Sequence, residues 1–251
     1  MHSPLPHTTR VARIPTLAPQ SLPDASAAAP ITTPRFEVID LDRTPDATMR
    51  VLAAALRRAP RDLNGRGQRA ATLLREGVEH AVLRERDHVV ELGVLQPGDE
   101  SSRALALNDA GQVVGLSRRG LHEHAFLWQS GRLWPLGDLR DPCVDRSRPV
   151  TPLQSSRARD INGRGQVVGR AATEDRVFGF LWSFWDGLLD LGELLQPVSG
   201  EAPWHVVDAR HIDDQGRILA TAVCDGRYRD VLLRPSPPAL ASPHPTFAAS
   251  S

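Results

Sequence analysis

The sequence predicts an all-β protein, a small β-propeller of four four-stranded blades closed by the N-terminal strand, with one short helix near residues 47–59. Three observations predict this fold class. A unit of about fifty residues recurs four times, its copies share one turn and the same strand blocks, and a single strand-like segment precedes the first copy. The same repeats allow an open β-solenoid, or the association of two chains, as the alternative.

The turn of each copy contains an Asn or Asp followed three residues later by Gly. Asn, Asp and Gly tolerate positive φ, as a tight turn between two antiparallel strands requires. We therefore expect each turn to join the first strand of a blade to the second. The four copies are RDLNGRGQRAA (61–71), LALNDAGQVVG (105–115), RDINGRGQVVG (159–169) and RHIDDQGRILA (210–220).

Two further strand blocks follow the turn. They are apolar at consecutive positions and rich in β-favouring residues, which indicates strands buried on both faces. With the two strands around the turn, they predict four short strands per copy. The third-strand blocks are HAVLR (80–84), HAFLW (124–128), FGFLW (178–182) and RDVLL (229–233), and the fourth-strand blocks are VVELGVL (89–95), LWPLGDL (133–139) and LLDLGEL (188–194).

The fourth copy lacks a fourth strand, and the segment FEVIDL (36–41) before the first copy resembles the missing one. We expect this segment to pair with the last copy, so that the N-terminal strand completes the last blade. Closing a ring in this way removes the exposed sheet edges that otherwise promote aggregation.

The stretch ATMRVLAAALRRA (47–59) departs from the strand pattern. Its apolar residues follow helical spacing and Asp46 or Thr48 can cap it, so we expect one helix packed against the first blade. Residues 1–34 and 235–251 are rich in Pro, Ala, Ser and Thr, which predicts disordered tails around a folded domain at 35–234. The insert at 140–155 contains three prolines and is expected to be a surface loop.

The composition limits the classes of function. Positive and negative residues balance at thirty each, which gives no indication of a nucleic-acid partner. No apolar run approaches the ~20 residues that cross a bilayer, so no membrane insertion is expected. The common hydrolase and nucleotide-binding motifs are missing, and no cluster of residues has metal-ligand spacing, so we predict no catalytic residues, no metal and no cofactor. The pairing of Cys143 with Cys224 and the oligomeric state stay open.

The candidate binding residues lie directly before the turns. If the first strand of each blade is innermost, they approach the central axis, where converging arginines bind a carboxylate, a phosphate or an acidic peptide. The alternative is that these arginines and aspartates pair with one another and need no ligand. The residues are Arg61, Asp62, Arg159, Asp160, Arg210 and His211.

Three other sequence patterns are better explained by structural roles than by metal or sugar binding. The third turn opens like a calcium loop, but its fifth position is Arg164 and its closing position is Ala171, so a hairpin turn is favoured. The histidines of HEH (122–124) face one side of a strand and could supply half of a zinc site, although one belongs to the repeat pattern. Equivalent repeat positions predict that Trp128 and Trp182 lie in the core, not on a sugar-stacking surface.

The blocks NDAGQVVG, DINGRGQVVG, HAFLW and LWPLGDL closely resemble the HAF repeat, which is named for its His-Ala-Phe triplet. The resemblance covers residues 36–234, and copies two and three carry it best. It implies a β-propeller-like bacterial protein, often extracellular, with no established activity or catalytic residues. The N-terminal segment shows no evident secretory signal, which leaves a cytoplasmic location open.

Together these observations predict a non-enzymatic repeat domain that binds a protein or an anionic ligand at its axial face. A carbohydrate-active hydrolase or lyase is the alternative from a different class, since propellers host such chemistry with carboxylates around the axis. A decayed repeat protein without separate activity is a third hypothesis, because copies one and four have lost parts of the motif.

Overall fold

The computed structural model describes residues 34–140, 152–197 and 202–236. These residues form four mainly antiparallel sheets, one α-helix and one short 3-10 helix, so the predicted all-β fold class is confirmed. The arrangement of four sheets is consistent with the predicted four-bladed propeller. The predicted tails lie almost wholly outside the described residues, as does most of the predicted loop, and they stay predictions.

Each sheet corresponds to one copy of the repeat. The first sheet is β2-β3-β4, the second is β5-β6-β7-β8, the third is β10-β11-β12-β13-β9 and the fourth is β1-β16-β15-β14. The helix α1 spans Ala47–Arg58 and the 3-10 helix spans Leu191–Leu194. The strands are β1 (Phe36–Asp40), β2 (Gln68–Arg75), β3 (Val78–Glu85), β4 (His88–Glu91), β5 (Ser101–Leu107), β6 (Val113–Arg119), β7 (His122–Gln129), β8 (Arg132–Pro135), β9 (Leu139–Arg140), β10 (Ser155–Ile161), β11 (Val167–Ala172), β12 (Val177–Ser183), β13 (Gly187–Asp190), β14 (His205–Ile212), β15 (Ile218–Cys224) and β16 (Arg227–Pro235).

The N-terminal strand completes the last sheet, as the sequence predicts. Strand β1 pairs antiparallel with β16, from Phe36 opposite Pro235 to Asp40 opposite Val231. The side chain of Phe36 is 2 % exposed and lies in the core that the third and fourth sheets share. The two ends of the described chain are therefore joined through one sheet.

Two sheets differ from the predicted four strands. The first sheet has three strands, because the strand expected before its turn is reduced to a single bridge between Leu63 and Arg69. The chain leaves α1 at Arg58, only a few residues earlier, and Pro60 has no N–H to donate to a ladder. In the third sheet, β9 adds a fifth strand parallel to β13.

Successive sheets pack face to face through apolar cores. In β7, Phe126 and Trp128 pack back against the first sheet, whereas Ala125 and Leu127 pack forward against the third. Because side chains alternate along a strand, a block buried between two neighbours must be apolar at consecutive positions. This explains why the HAFLW block is apolar without alternation.

The helix packs against the fourth sheet, so the expectation that it packs against the first blade is wrong. Asp46 caps it, and Ala53 and Leu56 contact Leu219 and Leu232 of the fourth sheet. These two leucines are not part of the core shared with the third sheet, and the cluster that they form with α1 contains no described residue of another sheet. The helix shields them from water instead.

Within the described part of the chain, no helix is both long and apolar enough to cross a membrane. Cys224 is buried, and Cys143 lies outside the described residues, so their pairing stays open.

Candidate axial binding site

A β-bulge positions the candidate arginines. The pairing register shifts by one residue at Arg159 in β10 and at Arg210 in β14, and the same shift occurs at Leu105 in β5. A bulged residue is unpaired in the ladder, and its side chain is turned away from the regular alternation. The two arginines therefore stand apart from the apolar faces of their strands.

Three of the six predicted residues are in ion pairs with residues outside the predicted set, and Arg159 and Asp62 are two of them. Arg159 holds Asp208 of the next sheet, with Nη2 2.9 Å from Oδ2 and Nε 3.3 Å from Oδ1. Asp62 lies 3.4 Å from the Nε of Arg69, and both side chains are more than half exposed. The charges of Arg159 and Asp62 are therefore each paired within the protein, and neither residue requires a ligand.

Arg210 is also paired, with a carboxylate that the sequence did not reveal. Its Nη2 lies 2.5 Å from Oδ1 of Asp230, and Arg57 of α1 binds the other oxygen of that carboxylate. The signal was present but weak: Asp230 occupies the position of Ala125 in the HAFLW block, where a charge interrupts an apolar strand. No local pattern marks Arg57, which follows helical spacing like its neighbours.

Arg61 makes no ion pair with any described residue. Its Nη1 donates to the backbone oxygen of Arg210 at 3.4 Å, across from the first copy to the fourth. Its positive charge is close enough to lower the pKa of both Asp160 and His211.

Asp160 is a buried carboxylate, with a side chain that is 9 % exposed. One oxygen accepts a hydrogen bond from the N–H of Ile161 at 2.9 Å and the other from the N–H of Ile212 at 3.0 Å. Burial raises the pKa of Asp160 to about 6, although these two hydrogen bonds and the charge of Arg61 act in the opposite direction. The group therefore titrates just below neutral pH.

His211 lies beside Asp160 and is equally buried. Its Nδ1 is 3.7 Å from Oδ2 of Asp160, which is beyond hydrogen-bonding distance, and has no other partner. Burial, and after it the charges of Arg61, Arg210 and Arg57, lower the pKa of His211 to about 4. The imidazole is thus neutral at pH 7 and forms no ion pair with Asp160.

The structure brings four of the six predicted residues together and directs Asp62 and Arg159 to other partners. In the resulting group, three guanidinium groups face two carboxylates, which leaves one positive charge unbalanced. The Nε of Arg210 is buried without a hydrogen-bond partner, like Nδ1 of its neighbour. We call this group the axial cluster, and its members are Arg57, Arg61, Asp160, Arg210, His211 and Asp230.

The other polar patterns have structural roles. Oδ1 of Asn162 accepts the N–H groups of Arg164 and Gln166, as expected of a turn and not of a calcium ligand. Nδ1 of His122 lies 3.0 Å from the backbone oxygen of Gln154. Among the described residues, no group of three or more candidate ligands is arranged to hold a metal ion.

The tryptophans do not form a single stacking surface. Trp128 and Trp182 are buried in the cores between sheets, as their repeat positions predict. The guanidinium of Arg132 covers the ring of Trp134 at 3.9 Å. Trp185 is 45 % exposed at a hairpin tip and stacks edge to face on its neighbour in the chain.

Comparison with models of known protein families finds no match to this chain, and a search of curated proteins finds no match either. The resemblance to HAF repeats therefore stays a prediction that rests on the blocks quoted above. Functional proposals for this chain are drawn from its four-sheet fold and its axial cluster.

Proposed function

We propose that this chain is a non-enzymatic binding domain, a propeller of HAF-like repeats whose axial cluster binds an anionic group of a protein or smaller ligand. The observation that carries the proposal is the state of Arg61, which has no carboxylate partner among the described residues. Beside it lie two buried nitrogens without hydrogen bonds, one on Arg210 and one on His211. An anion beside Arg61 would accept charge-assisted hydrogen bonds from its guanidinium, whose contact with the backbone of Arg210 is long at 3.4 Å.

Glycoside hydrolysis fits the cluster less well. Such chemistry needs two carboxyl groups facing the substrate, one of them able to donate or accept a proton at the scissile bond. Asp230 is held by two arginines, and both oxygens of Asp160 accept backbone N–H groups. Both carboxylates are engaged within the protein, which favours binding over catalysis.

Decay of the repeat is also disfavoured, because substitutions in copy four are compensated. Asp213 replaces the turn Asn of the other copies, and Arg217 replaces their Gln; the two form an ion pair of 2.6 Å. Val206 replaces a Ser, and Gly179 opposite it replaces an Ala and makes room for the larger side chain. Matched changes of this kind favour a fold that is still under selection.

The test uses a defined anionic probe, an acetylated and amidated tetraglutamate peptide, with the corresponding tetraglutamine peptide as control. We expect calorimetry to show binding of the first peptide only. Arg61→Gln should weaken that binding about tenfold or more, as expected for one charge-assisted hydrogen bond, without lowering the melting temperature.

The matched control is Arg170→Gln, which removes the same charge from an exposed position on β11. It should bind the tetraglutamate peptide like the wild type. Equal binding of the two peptides, or an Arg61→Gln variant with wild-type affinity, would contradict the proposal.

A further inference from the structure

We propose that the outer edge of β1 binds an extended peptide segment of a partner protein, which adds to the fourth sheet as a strand parallel to β1. The segment carries an apolar residue followed by a basic one. This second site is separate from the axial cluster. It is supported by the backbone groups at the edge of β1, by a cleft beside them, and by the segment that covers the equivalent edge of the third sheet.

Strand β1 ends the fourth sheet, and its backbone groups face β16 and the outer side in alternation. On the outer side, the oxygen of Phe36 accepts the N–H of Gln196 at 2.8 Å. Because residues two apart face the same way, the N–H and oxygen of Val38 and the N–H of Asp40 also face outward. Among the described residues, β1 is paired on that side only at Phe36, with Leu195.

A cleft of about 410 Å³ lies along this edge, and we call it the β1 cleft. Its lining includes Val38, Ile39, Asp46, Met49 and Trp204. Val38 and Trp204 pack against the core that the third and fourth sheets share. Ile39 and Met49 pack against the cluster that α1 forms with the fourth sheet. The cleft therefore has an apolar wall on each face of the sheet, and a strand added there would direct successive side chains to the two walls in turn.

The equivalent edge of the third sheet shows what kind of segment fits. Its outer strand β13 is covered by β9, which runs parallel to it with Leu139 opposite Leu188 and Arg140 opposite Leu189. Leu139 is 7 % exposed and lies in the core between the second and third sheets. The chain itself thus adds an extended segment at this edge, with an apolar residue facing the core and a basic residue after it.

The pairing partners show that Val38 occupies the position of Leu188. In the third sheet, Leu188 lies opposite Trp182. In the fourth sheet, Val38 lies opposite Leu233. Trp182 and Leu233 each end the third-strand block of their copy, so the two outer strands are in the same register.

In the fourth sheet, the segment that corresponds to β9 pairs only briefly. Leu195 bridges Phe36 in parallel, but Pro197 follows two residues later and has no N–H to donate to a ladder. No described residue continues this pairing toward Asp40. The edge from Val38 onward therefore has the backbone groups for an added strand, and no described strand uses them.

The charges along the β1 cleft favour the same occupant. Four charged lining residues form two pairs, Arg234 with Glu37 and Arg43 with Asp40. Asp46 caps α1 through Oδ1 and has no ion-pair partner among the residues that the structure describes. In the register of β9, the residue after the apolar one lies opposite Ile39, on the side of α1, where a basic side chain would approach Asp46.

The probe is a peptide that copies residues 136–140 of this chain, LGDLR, with acetylated and amidated ends. Calorimetry with the wild-type chain should show binding. Amide hydrogen exchange, followed by NMR, should slow about tenfold or more at Val38 and Asp40 when the peptide is saturating. The amide of Ile39 faces β16 and should exchange at the same rate with and without the peptide.

The matched control peptide carries an N-methyl group on its arginine. In the observed parallel bridge, the N–H of Gln196, one residue after Leu195, donates to the oxygen of Phe36. The arginine N–H of the probe should likewise donate to the oxygen of Val38. Its loss should weaken binding about tenfold or more.

Two variants of the chain test the site. Asp46→Asn keeps a good helix cap but removes the charge, so it should bind the probe a few-fold more weakly. Arg61→Gln, which should lose affinity for tetraglutamate, should bind the probe like the wild type.

Several results would overturn this inference. They are no binding of the probe, equal binding of the N-methylated peptide, unprotected amides at Val38 and Asp40, or wild-type affinity in Asp46→Asn. Loss of binding in Arg61→Gln would assign the probe to the axial cluster instead. Slow exchange of both amides in the free chain would show that another segment of the chain or a second copy already fills the cleft. The tetraglutamate experiment is independent of these results, so the proposed function stands or falls separately.

Discussion

At the scale of single residues, the fourth copy shows how the size of one side chain limits which residue fits opposite it in the adjacent sheet. Between the second and third sheets, Oγ of Ser156 accepts the N–H of Ala125 at 2.9 Å, and the first interface has the same Ser–Ala pair. Between the third and fourth sheets, the equivalent residues are Val206 and Gly179. A Cβ added at Gly179 would lie 2.7 Å from Cγ1 of Val206, so glycine is required there by contact and not by backbone conformation.

We therefore expect Gly179→Ala to lower the free energy of unfolding by about 1–3 kcal/mol, because it overpacks this interface. The double variant Gly179→Ala with Val206→Ser restores the Ser–Ala pair of the other interfaces and should recover part of the loss. Urea unfolding of both single variants and the double variant measures the coupling. Additive losses would show that the two positions do not compensate each other.

Asp160 and His211 give opposite pH dependences of stability. The pKa of Asp160 rises from 3.8 to about 6 on folding, so the native state binds more protons between these values, and this group adds stability as the pH falls through them. The pKa of His211 falls from 6.5 to about 4, so the unfolded state binds more protons there, and this group removes stability as the pH falls. Each shift of about two units is worth roughly 3 kcal/mol, so the two contributions largely cancel.

Removing either group should expose the contribution of the other. Relative to the wild type, Asp160→Asn should lose up to about 3 kcal/mol between pH 6.5 and pH 4, whereas His211→Gln should gain a similar amount. Urea unfolding at pH 7, 5.5 and 4.5 tests both, and the difference from the wild type removes the titration of other groups. Variants with the same pH dependence would contradict these pKa values.

At the scale of the elements, the turns are joined by a ladder of asparagines. The Nδ2 of Asn64 donates to the backbone oxygen of Asn108, that of Asn108 to Asn162, and that of Asn162 to Asp213, each at 3.0 Å. The Oδ1 of each asparagine accepts N–H groups of its own turn. One side chain therefore closes a hairpin and attaches it to the next sheet.

Asn108→Asp should break this ladder at its centre, because the new carboxylate oxygen would face the carbonyl of Asn162 in a buried position. We expect a loss of about 1–3 kcal/mol in the free energy of unfolding. Asp213→Asn is the matched control at the last position, where the ladder ends, and should cost less than about 1 kcal/mol. Similar losses in thermal or urea unfolding would show that the ladder adds little.

At the scale of the whole molecule, the first strand belongs to the last sheet. Ser236 donates its N–H to the backbone oxygen of Arg35 at 2.8 Å, so β16 and β1 meet like the two arms of a hairpin. The chain then passes through α1 to the first copy, where Arg61 contacts the fourth copy again.

A circular permutant tests this arrangement. A chain that begins at Arg43 and continues from Ser236 through a two-residue turn into residues 35–42 keeps β1 beside β16, and it should unfold cooperatively with a melting temperature close to that of the parent. The same chain without residues 35–42 should be several kcal/mol less stable, because it exposes the core around Phe36 and leaves β16 unpaired. Equal stability of the two chains would contradict closure through β1.

Several elements could be predicted from the sequence because their causes are local. Turns built from Asn and Gly, blocks apolar on both faces, and a capped helical stretch each depend on neighbouring residues, and all three occur where they were expected. The pairing of β1 with β16 spans the chain, yet it was predictable because a repeat missing one strand indicates where that strand must go. The side on which α1 packs depends on which sheet face lacks a neighbour, and that is not a local property.

For the axial cluster too, the sequence predicts some features and the folded structure is needed for others. The polar residues before the turns could be predicted from the repeat alone, which places Arg61 and Arg210 at one equivalent position and Asp160 and His211 at the next. Their pairing could be read only from the folded structure: Asp230 binds both Arg210 and Arg57, while Arg61 has no carboxylate partner among the described residues. Ion pairing depends on distances of a few ångströms between side chains far apart in the chain, whereas a repeat specifies only which strand each residue occupies.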